Sequence, residues 1–358
     1  MAMPMRPLQD LYPRLTSFAN LHAAARRAQR AKRYRPAVLA FNARLEAELF
    51  ALQEELQTFS YRPRPFVRFE IFEPKRRLIA AAAYRDRVVH HALCAVIVPP
   101  LERGFLPTSY ANRTGYGSHR ALRQFERCCK VFPWVFQADL RLYFPSIDHQ
   151  NLLAQLRKLI VCPGTLWLLE TILAHGAETT PTLNPFPGDT LLTPLERPHG
   201  LPIGNLTSQF LANLHLNDFD HRIASLRGVA SYLRYVDDFA LFAYDRPSLE
   251  RAQVRIEAEL EALRLRLHPI KSQIRRCRDG TSFVGFHLLS SRIRVRNHTL
   301  RRGRRRLRAV AAAVAAGNLA PEQARQRLVS WNAHLAHGHT WRLRRQAFAP
   351  LPFANDLP

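Results

Sequence analysis

Cysteine is scarce in this chain and poorly spaced for a structural role. Cys94, Cys128, Cys129, Cys162 and Cys277 contain no Cys-x-x-Cys pair, which argues against a zinc site or a disulfide framework and leaves reduced thiols. Long apolar runs are missing as well. No stretch approaches the ~20 residues of a membrane span, and residues 1–18 lack the basic-then-apolar order of a signal peptide. A cytoplasmic chain with no membrane partner is therefore expected. There is no internal repeat, and the one biased stretch is the Ala/Arg-rich 304–316. Acidic residues are few: 28 Asp+Glu stand against 53 Lys+Arg, a net charge of +25. What remains is a 358-residue chain, 47% hydrophobic, long enough to bury a large core in two or three subdomains.

Such an excess of positive charge repels itself unless a polyanion neutralises it. Its distribution says more than its size. From Ser291 to Pro358 there are 14 Arg, no Lys, and only Glu322 and Asp356; nine of those Arg fall between Arg292 and Arg308. A solvated helix face rarely carries so one-sided a run, so a nucleic-acid backbone is the better partner. An anionic membrane fits less well, because the stretch lacks an aromatic-leucine face.

Periodicity places the elements. Residues 1–60 read as helices, with Phe41, Leu45, Leu49, Leu52 and Leu56 on one buried stripe. Val67 to Ile71 alternates like a strand and leads into Pro74-Lys75-Arg76-Arg77. A helix from about Asp86 stops at Pro99-Pro100. Val131 to Ala138 reads as a strand delivering Asp139, followed by helices near 149–160 and 164–175. Five prolines make 177–200 an irregular loop. Helices are expected over 205–223 and 248–267, a second hairpin over 283–295, and helices in the basic tail.

Tyr235-Val236-Asp237-Asp238-Phe239 sits between short apolar runs, the profile of a tight hairpin with two acids at its tip. Adjacent carboxylates repel, and a divalent cation is the usual reason to tolerate them, although a solvated Asp-Asp turn looks the same in isolation. Asp139, in Gln137-Ala138-Asp139-Leu140-Arg141-Leu142-Tyr143-Phe144, is a second strand-terminal acid, 98 residues upstream of Asp237. Two-metal phosphoryl transfer needs carboxylates from separate strands, and these supply them. The third string is His199-Gly200-Leu201-Pro202-Ile203-Gly204-Asn205-Leu206-Thr207-Ser208-Gln209, where Gly204 permits close backbone approach to a ligand.

Together these strings resemble the catalytic motifs of reverse transcriptases, over roughly residues 65–345. The resemblance implies an α+β right-hand polymerase: 1–60 a helical extension of the fingers, 61–290 fingers and an antiparallel-sheet palm, 291–358 a small basic helical thumb. It makes Asp139, Asp237 and Asp238 the metal ligands, with Leu140 beside Asp139, for two Mg2+ ions or alternatively Mn2+. Lys271 resembles the lysine that protonates pyrophosphate. Lys75, Arg76, Phe144, Ile203, Gly204 and Gln209 face the dNTP, with Arg76 clamping the triphosphate and Phe144 excluding a 2′-hydroxyl. Arg113, the Phe283-Val284-Gly285-Phe286 turn and Arg301, Arg302, Arg304 and Arg305 contact nucleic acid. His90, His91, His334, His337 and His339 are read as RNA contacts or surface groups.

Most reverse transcriptases carry glutamine before the motif glycine and proline after its serine. Here those positions are Ile203 and Gln209, a version similar to reverse transcriptases of diversity-generating retroelements. That subtype implies a template RNA, an RNA/DNA hybrid, errors at template adenines and a small basic accessory protein that forms an oligomer. A retron, group II intron-like or phage-defence reverse transcriptase is the sister reading. A non-catalytic RNA-binding scaffold is the rival from another class.

Overall fold

The computed structural model describes residues 6–72, 76–178, 185–190, 192–289 and 292–349. The chain divides into two compact units. One comprises residues 1–112, 139–225 and 254–271; the other comprises 113–138, 226–253 and 272–358. Both mix helix and sheet, as expected of an α+β chain.

The first unit is mostly helical. Its central helix, Tyr84–Glu102, buries twelve side chains, among them Val88, Val89, Leu93 and Ile97. It does not stop at Pro99-Pro100 as the sequence suggests. Both prolines lie inside its last turn, where they forfeit two helical hydrogen bonds near an end that frays in any case. The N-terminal helices Phe18–Ala28, Pro36–Asn42 and Leu45–Gln57 bury Leu21, Phe41, Leu49, Leu52 and Leu56, so the predicted stripe holds except at Leu45, which is half-buried, and it spans two helices. Asp86 is 1% exposed and accepts from the Tyr61 hydroxyl at 2.8 Å and the Arg64 N–H at 2.9 Å. Burial, then Asp86, pushes the Tyr61 phenol far up.

This unit's sheet is a single antiparallel pair, β1 (Val67–Ile71) with β2 (Arg77–Ala81), in register from Val67 opposite Ala81 to Ile71 opposite Arg77. The alternation of β1 marks no buried face: four of its five residues are exposed.

The second unit holds a four-stranded sheet of β3 (Trp134–Asp139), β4 (Ser231–Tyr235), β5 (Asp238–Ala243) and β6 (Gln273–Arg276), in the order β4-β5-β3-β6. Strand β3 starts three residues later than expected. The helix Ser118–Val131 claims Val131, and Pro133 forces Phe132 into extended backbone before the strand begins. A three-stranded antiparallel sheet follows: β7 (Thr281–Phe283), β8 (Phe286–Leu289) and β9 (Arg292–Val295). Gln137 ties it to β3, donating to the Ser282 carbonyl at 2.6 Å. The helices Asn297–Ala315, Pro321–Leu335 and Trp341–Phe348 complete the described tail. There Trp331 packs against Gly303, where no Cβ would fit. Among the described residues no helix is long and apolar enough to cross a membrane.

Candidate active site

Strand β3 ends on Asp139, and the residues beyond it are held by a stretch that periodicity assigns to a helix. The helix Arg246–Ala262 stops early, and Arg264 takes φ +58. Leu267 then bridges Leu140 in antiparallel fashion, His268 N–H donates to the Asp139 carbonyl at 2.7 Å, and Arg141 N–H donates to the Arg266 carbonyl at 2.9 Å. This small ladder brings Lys271 onto Asp139. Its ammonium lies 2.8 Å from each carboxylate oxygen. Leu140 is 2% exposed, so only its backbone carbonyl could serve a ligand.

The second acidic element is the β4–β5 hairpin. Tyr235 pairs with Asp238, leaving a two-residue loop of Val236 and Asp237. Val236 sits at φ +61, a region a β-branched residue enters only under strain. The strain is braced from inside: Arg234, 1% exposed, donates to the Val236 carbonyl at 3.0 Å. A buried arginine under a turn tip is a supporting residue that sequence reasoning misses. The basic residue one place before Tyr235 is its one signal.

Of the first unit's candidates for the nucleotide site, Ile203 and Gly204 lie against β2. Ala80 N–H donates to the Ile203 carbonyl at 3.0 Å. Buried Asn205 accepts from Ala82 N–H at 3.2 Å and donates to the Ala80 carbonyl at 2.9 Å. Gly204, at φ +118, lies so close to Ile79 that an added Cβ would fall 2.8 Å from its Cγ2. Ile203 is half-buried, and Gly204 and Gln209 are exposed. Arg76, three residues before Ile79, is engaged by Glu70 across the hairpin, Nη2 to Oε1 at 2.6 Å. Lys75 lies outside the described residues. Phe144 stands half-buried on the four-residue helix Tyr143–Ser146, entered through Leu142 at φ +48.

Behind that turn lies an ionic cluster that the motifs do not announce. Asp148 caps the helix His149–Leu159 and receives Arg197 bidentately at 2.7 and 2.8 Å. Burial alone would raise its carboxyl, but the Arg197 bonds, the Asn151 N–H and Arg264 outweigh that and leave it below the usual range. Arg264 also grips Asp189 with two bonds of 2.6 Å. That grip first, then the Phe186 N–H, pulls Asp189 down to about 2.

In the second unit, Arg113 lies over the Tyr116 ring at 4.0 Å. Phe283 requires correction as a nucleic-acid contact. Its ring is 1% exposed and stacked on Phe125 at 4.6 Å, so it packs the hairpin and has no face left for a strand. Gly285, at φ +90, has open space around it. Arg301, Arg304 and Arg305 are exposed on the helix Asn297–Ala315, and Arg302 is half-buried.

Among the histidines, His90 departs from the surface reading, His91, His334 and His337 are half-buried, and His339 is exposed. His90 is buried, and burial first, then His91, pushes it down to about 3. His334 and His337 pack against His119, with His119 Nε2 and His334 Nδ1 3.3 Å apart and the His119 and His337 rings stacked at 3.6 Å. His339 accepts from Ile293 N–H.

A further basic cluster lies outside every motif. Arg26, Arg27, Arg30, Lys32, Arg33 and Arg35 crowd one helix end and the turn after it, and among the described residues none of them pairs with an acid. The charge of Arg87, then burial, then Arg35 holds Lys32 below the usual lysine range.

Residues 73–288 match the family described as reverse transcriptase (RNA-dependent DNA polymerase). The chain belongs to this family. Protein YkfC of Escherichia coli K12 is 28% identical, the match covering 70% of this chain and 74% of that one. An uncharacterized 91 kDa protein in the cob intron of Schizosaccharomyces pombe is 26% identical over 49% of this chain and 20% of its own. Among solved structures, a partial Cas6-RT-Cas1–Cas2 complex aligns at 19% identity and TM-score 0.38, covering 70% of this chain and 42% of that one. Apo telomerase from Candida tropicalis aligns at 10% and TM-score 0.46, covering 64% and 48%. The chain thus spans under half the length of these solved chains.

A reverse transcriptase implies divalent metal ions, and the residues here fit them. Asp139 already cradles a cation, the Lys271 ammonium, between both its oxygens, and carboxylates are the hard donors Mg2+ prefers. Among the described residues, however, no three His, Cys, Asp or Glu side chains are gathered into a ready ligand set.

Proposed function

We propose that this reverse transcriptase copies a retroelement template RNA into cDNA, and that the retroelement is diversity-generating. The observation that carries the subtype is Ile203 in the place where a glutamine is usual. Its carbonyl is pinned to Ala80 and its side chain is half-buried beside Gly204. A branched aliphatic side chain offers the incoming nucleotide shape and no hydrogen bond.

In this reading Asp139, Asp237 and Asp238 would hold two Mg2+ ions, with Mn2+ as an alternative and the Leu140 carbonyl in reserve. When bound there, such ions would supply Lewis-acid activation of the primer hydroxyl and neutralise developing phosphate charge. Arg76 leaves Glu70 to grip the triphosphate, with Lys75 assisting. Phe144 walls off a 2′-hydroxyl, Gly204 lets the backbone approach the nucleotide, and Gln209 lines the same pocket. Lys271 leaves Asp139 and gives its proton to departing pyrophosphate. Arg113, Gly285, Arg301, Arg302, Arg304 and Arg305 bind the template and hybrid along the phosphate backbone, and the N-terminal cations, which have no acidic partner among the described residues, support a polyanionic ligand. Residues 61–290 form fingers and palm, 291–358 the thumb, and a small basic protein oligomer accompanies them.

A second reading, an intron-type reverse transcriptase, is favoured by the similarity to the cob intron protein. One experiment separates the two: primer extension on a defined RNA with each dNTP supplied singly, followed by sequencing of the cDNA. Errors concentrated at template adenines support the first reading. Uniformly low error supports the second.

A further inference from the structure

Phe144 stands on a short turn closed by Ser146 N–H to the Leu142 carbonyl at 2.9 Å and otherwise braced from outside. The helix Tyr143–Ser146 is four residues long, is entered through a strained Leu142 and contains Pro145, which has no N–H to give. Its carbonyls are satisfied from the segment just before the Ile203-Gly204 motif. Leu201 N–H donates to the Phe144 carbonyl and Gly200 N–H to the Ile147 carbonyl, both at 2.8 Å. Between these two backbone bonds lies a side-chain one: His199 Nδ1–H donates to the Pro145 carbonyl at 2.9 Å. The acceptor is a carbonyl, so the proton belongs to the histidine.

His199 is 8% exposed and is itself held in place. Its carbonyl accepts from Glu178 N–H at 2.8 Å, and its backbone bridges Asp148. Next to it, Arg197 clamps Asp148, and His149 Nε2–H donates to the Gly200 carbonyl at 2.7 Å. The turn is therefore pinned on both sides of Pro145, and His199 supplies the pin at the Pro145 carbonyl itself, one peptide after the Phe144 carbonyl that Leu201 holds.

We infer that His199 is a positioning residue for sugar selection: by anchoring the Pro145 carbonyl it fixes where the Phe144 ring stands, and discrimination between deoxynucleotides and ribonucleotides depends on that anchor. The inference rests on the reading of Phe144 as the wall against a 2′-hydroxyl. A wall of one ring discriminates only if its position is fixed, since displacements near 1 Å cost specificity at a reacting centre. The two backbone bonds are indifferent to side-chain identity, which leaves His199 as the mutable member of the set.

The test is single-nucleotide incorporation on an RNA template, with kcat and KM measured separately for a dNTP and its rNTP. The proteins are wild type, His199→Ala, His199→Asn, Phe144→Ala and the double variant Phe144→Ala/His199→Ala. Losing one hydrogen bond should lower dNTP-over-rNTP selectivity in His199→Ala by roughly threefold to tenfold, mainly through better rNTP use. His199→Asn places an amide N–H near the position of Nδ1 and should restore most of the selectivity. Because His199 acts through the ring, the double variant should be no less selective than Phe144→Ala alone. If Phe144→Ala relaxes selectivity and His199→Ala does not, or if their effects add, His199 only stabilises the fold and the inference is overturned. If Phe144→Ala itself leaves selectivity unchanged, the wall reading fails and takes this inference with it.

Discussion

Replacing Lys271 with methionine should tighten metal binding at Asp139 while damaging synthesis. The Lys271 ammonium sits 2.8 Å from both carboxylate oxygens, the position a metal cation would take. An ion binding there must first displace it. The lysine side chain is 42% exposed and the aspartate side chain 15% exposed, so the pair is screened and worth only about 0.2–1 kcal/mol. Removing the competitor returns that free energy to the metal, a gain in affinity of roughly 1.4-fold to fivefold. Mn2+ titrations followed by electron paramagnetic resonance, without nucleotide, would read it directly. Lys271→Arg should behave like wild type, Asp139→Asn should weaken binding, and the gap between wild type and Lys271→Met should narrow as salt screens the pair. Chemistry should move the other way, because methionine has no proton for pyrophosphate. Equal or weaker Mn2+ affinity in Lys271→Met would mean that the ion does not bind where the ammonium sits.

Asp139→Asn and Asp237→Asn should each cut DNA synthesis by at least ~10²-fold while RNA binding persists; near-normal primer extension by either would remove both from the catalytic set. Ile203→Gln should raise fidelity roughly threefold to tenfold, the worth of one hydrogen bond, and identical error spectra in sequenced cDNA would reduce Ile203 to packing. Neutralising Arg301, Arg302, Arg304 and Arg305 should flatten the salt dependence of RNA binding by about 0.7–0.9 in log–log slope for each phosphate left without its arginine; an unchanged slope would place the RNA elsewhere. Acid should destabilise the fold through His90 and His215, which burial pushes down to about 3 and about 4. Their folded-state pKa values are depressed, so the stability they confer is present above the unfolded value near 6.5 and is lost as pH falls toward 4. Urea midpoints should drop across that window by the equivalent of about 1.4 kcal/mol per pH unit for each histidine, and less so in His90→Gln.

Elements governed by local pattern are legible in the sequence. The stripe of Leu49, Leu52 and Leu56, the Tyr235–Asp238 hairpin and the strand ending at Asp139 are each decided by nearest neighbours and burial of one face. Legibility fails where a tertiary partner overrides the pattern. Leu263, Leu265 and Leu267 continue the apolar run of the helix before them, yet the helix ends at Ala262 because Leu267 is needed opposite Leu140. The 205–223 helix breaks at Leu216 into Leu206–His215 and Asn217–Ala224. No glycine or proline announces that break.

The site divides along the same line. The candidate acids, gate aromatic and motif glycine can be named from sequence because the chemistry proposed for them depends on residue type. The residues that aim them cannot. Asn205 reads as one letter in a motif, but its amide fastens that motif to Ala80 of β2 and to Ala82 just after it. Arg234 reads as one more cation in a basic chain, but it is buried and carries the strained carbonyl of Val236. His199 reads as the first letter of a loop motif and turns out to hold the Pro145 carbonyl, next to Phe144. In each case a side chain satisfies a main-chain group by a relation with no periodicity and no composition. The converse error, Phe283, has the same origin. A turn motif fixes the backbone that faces outward at Gly285, whereas burial of the neighbouring ring depends on Phe125, more than 150 residues earlier. A motif therefore predicts which groups do chemistry better than it predicts which neighbours touch the ligand.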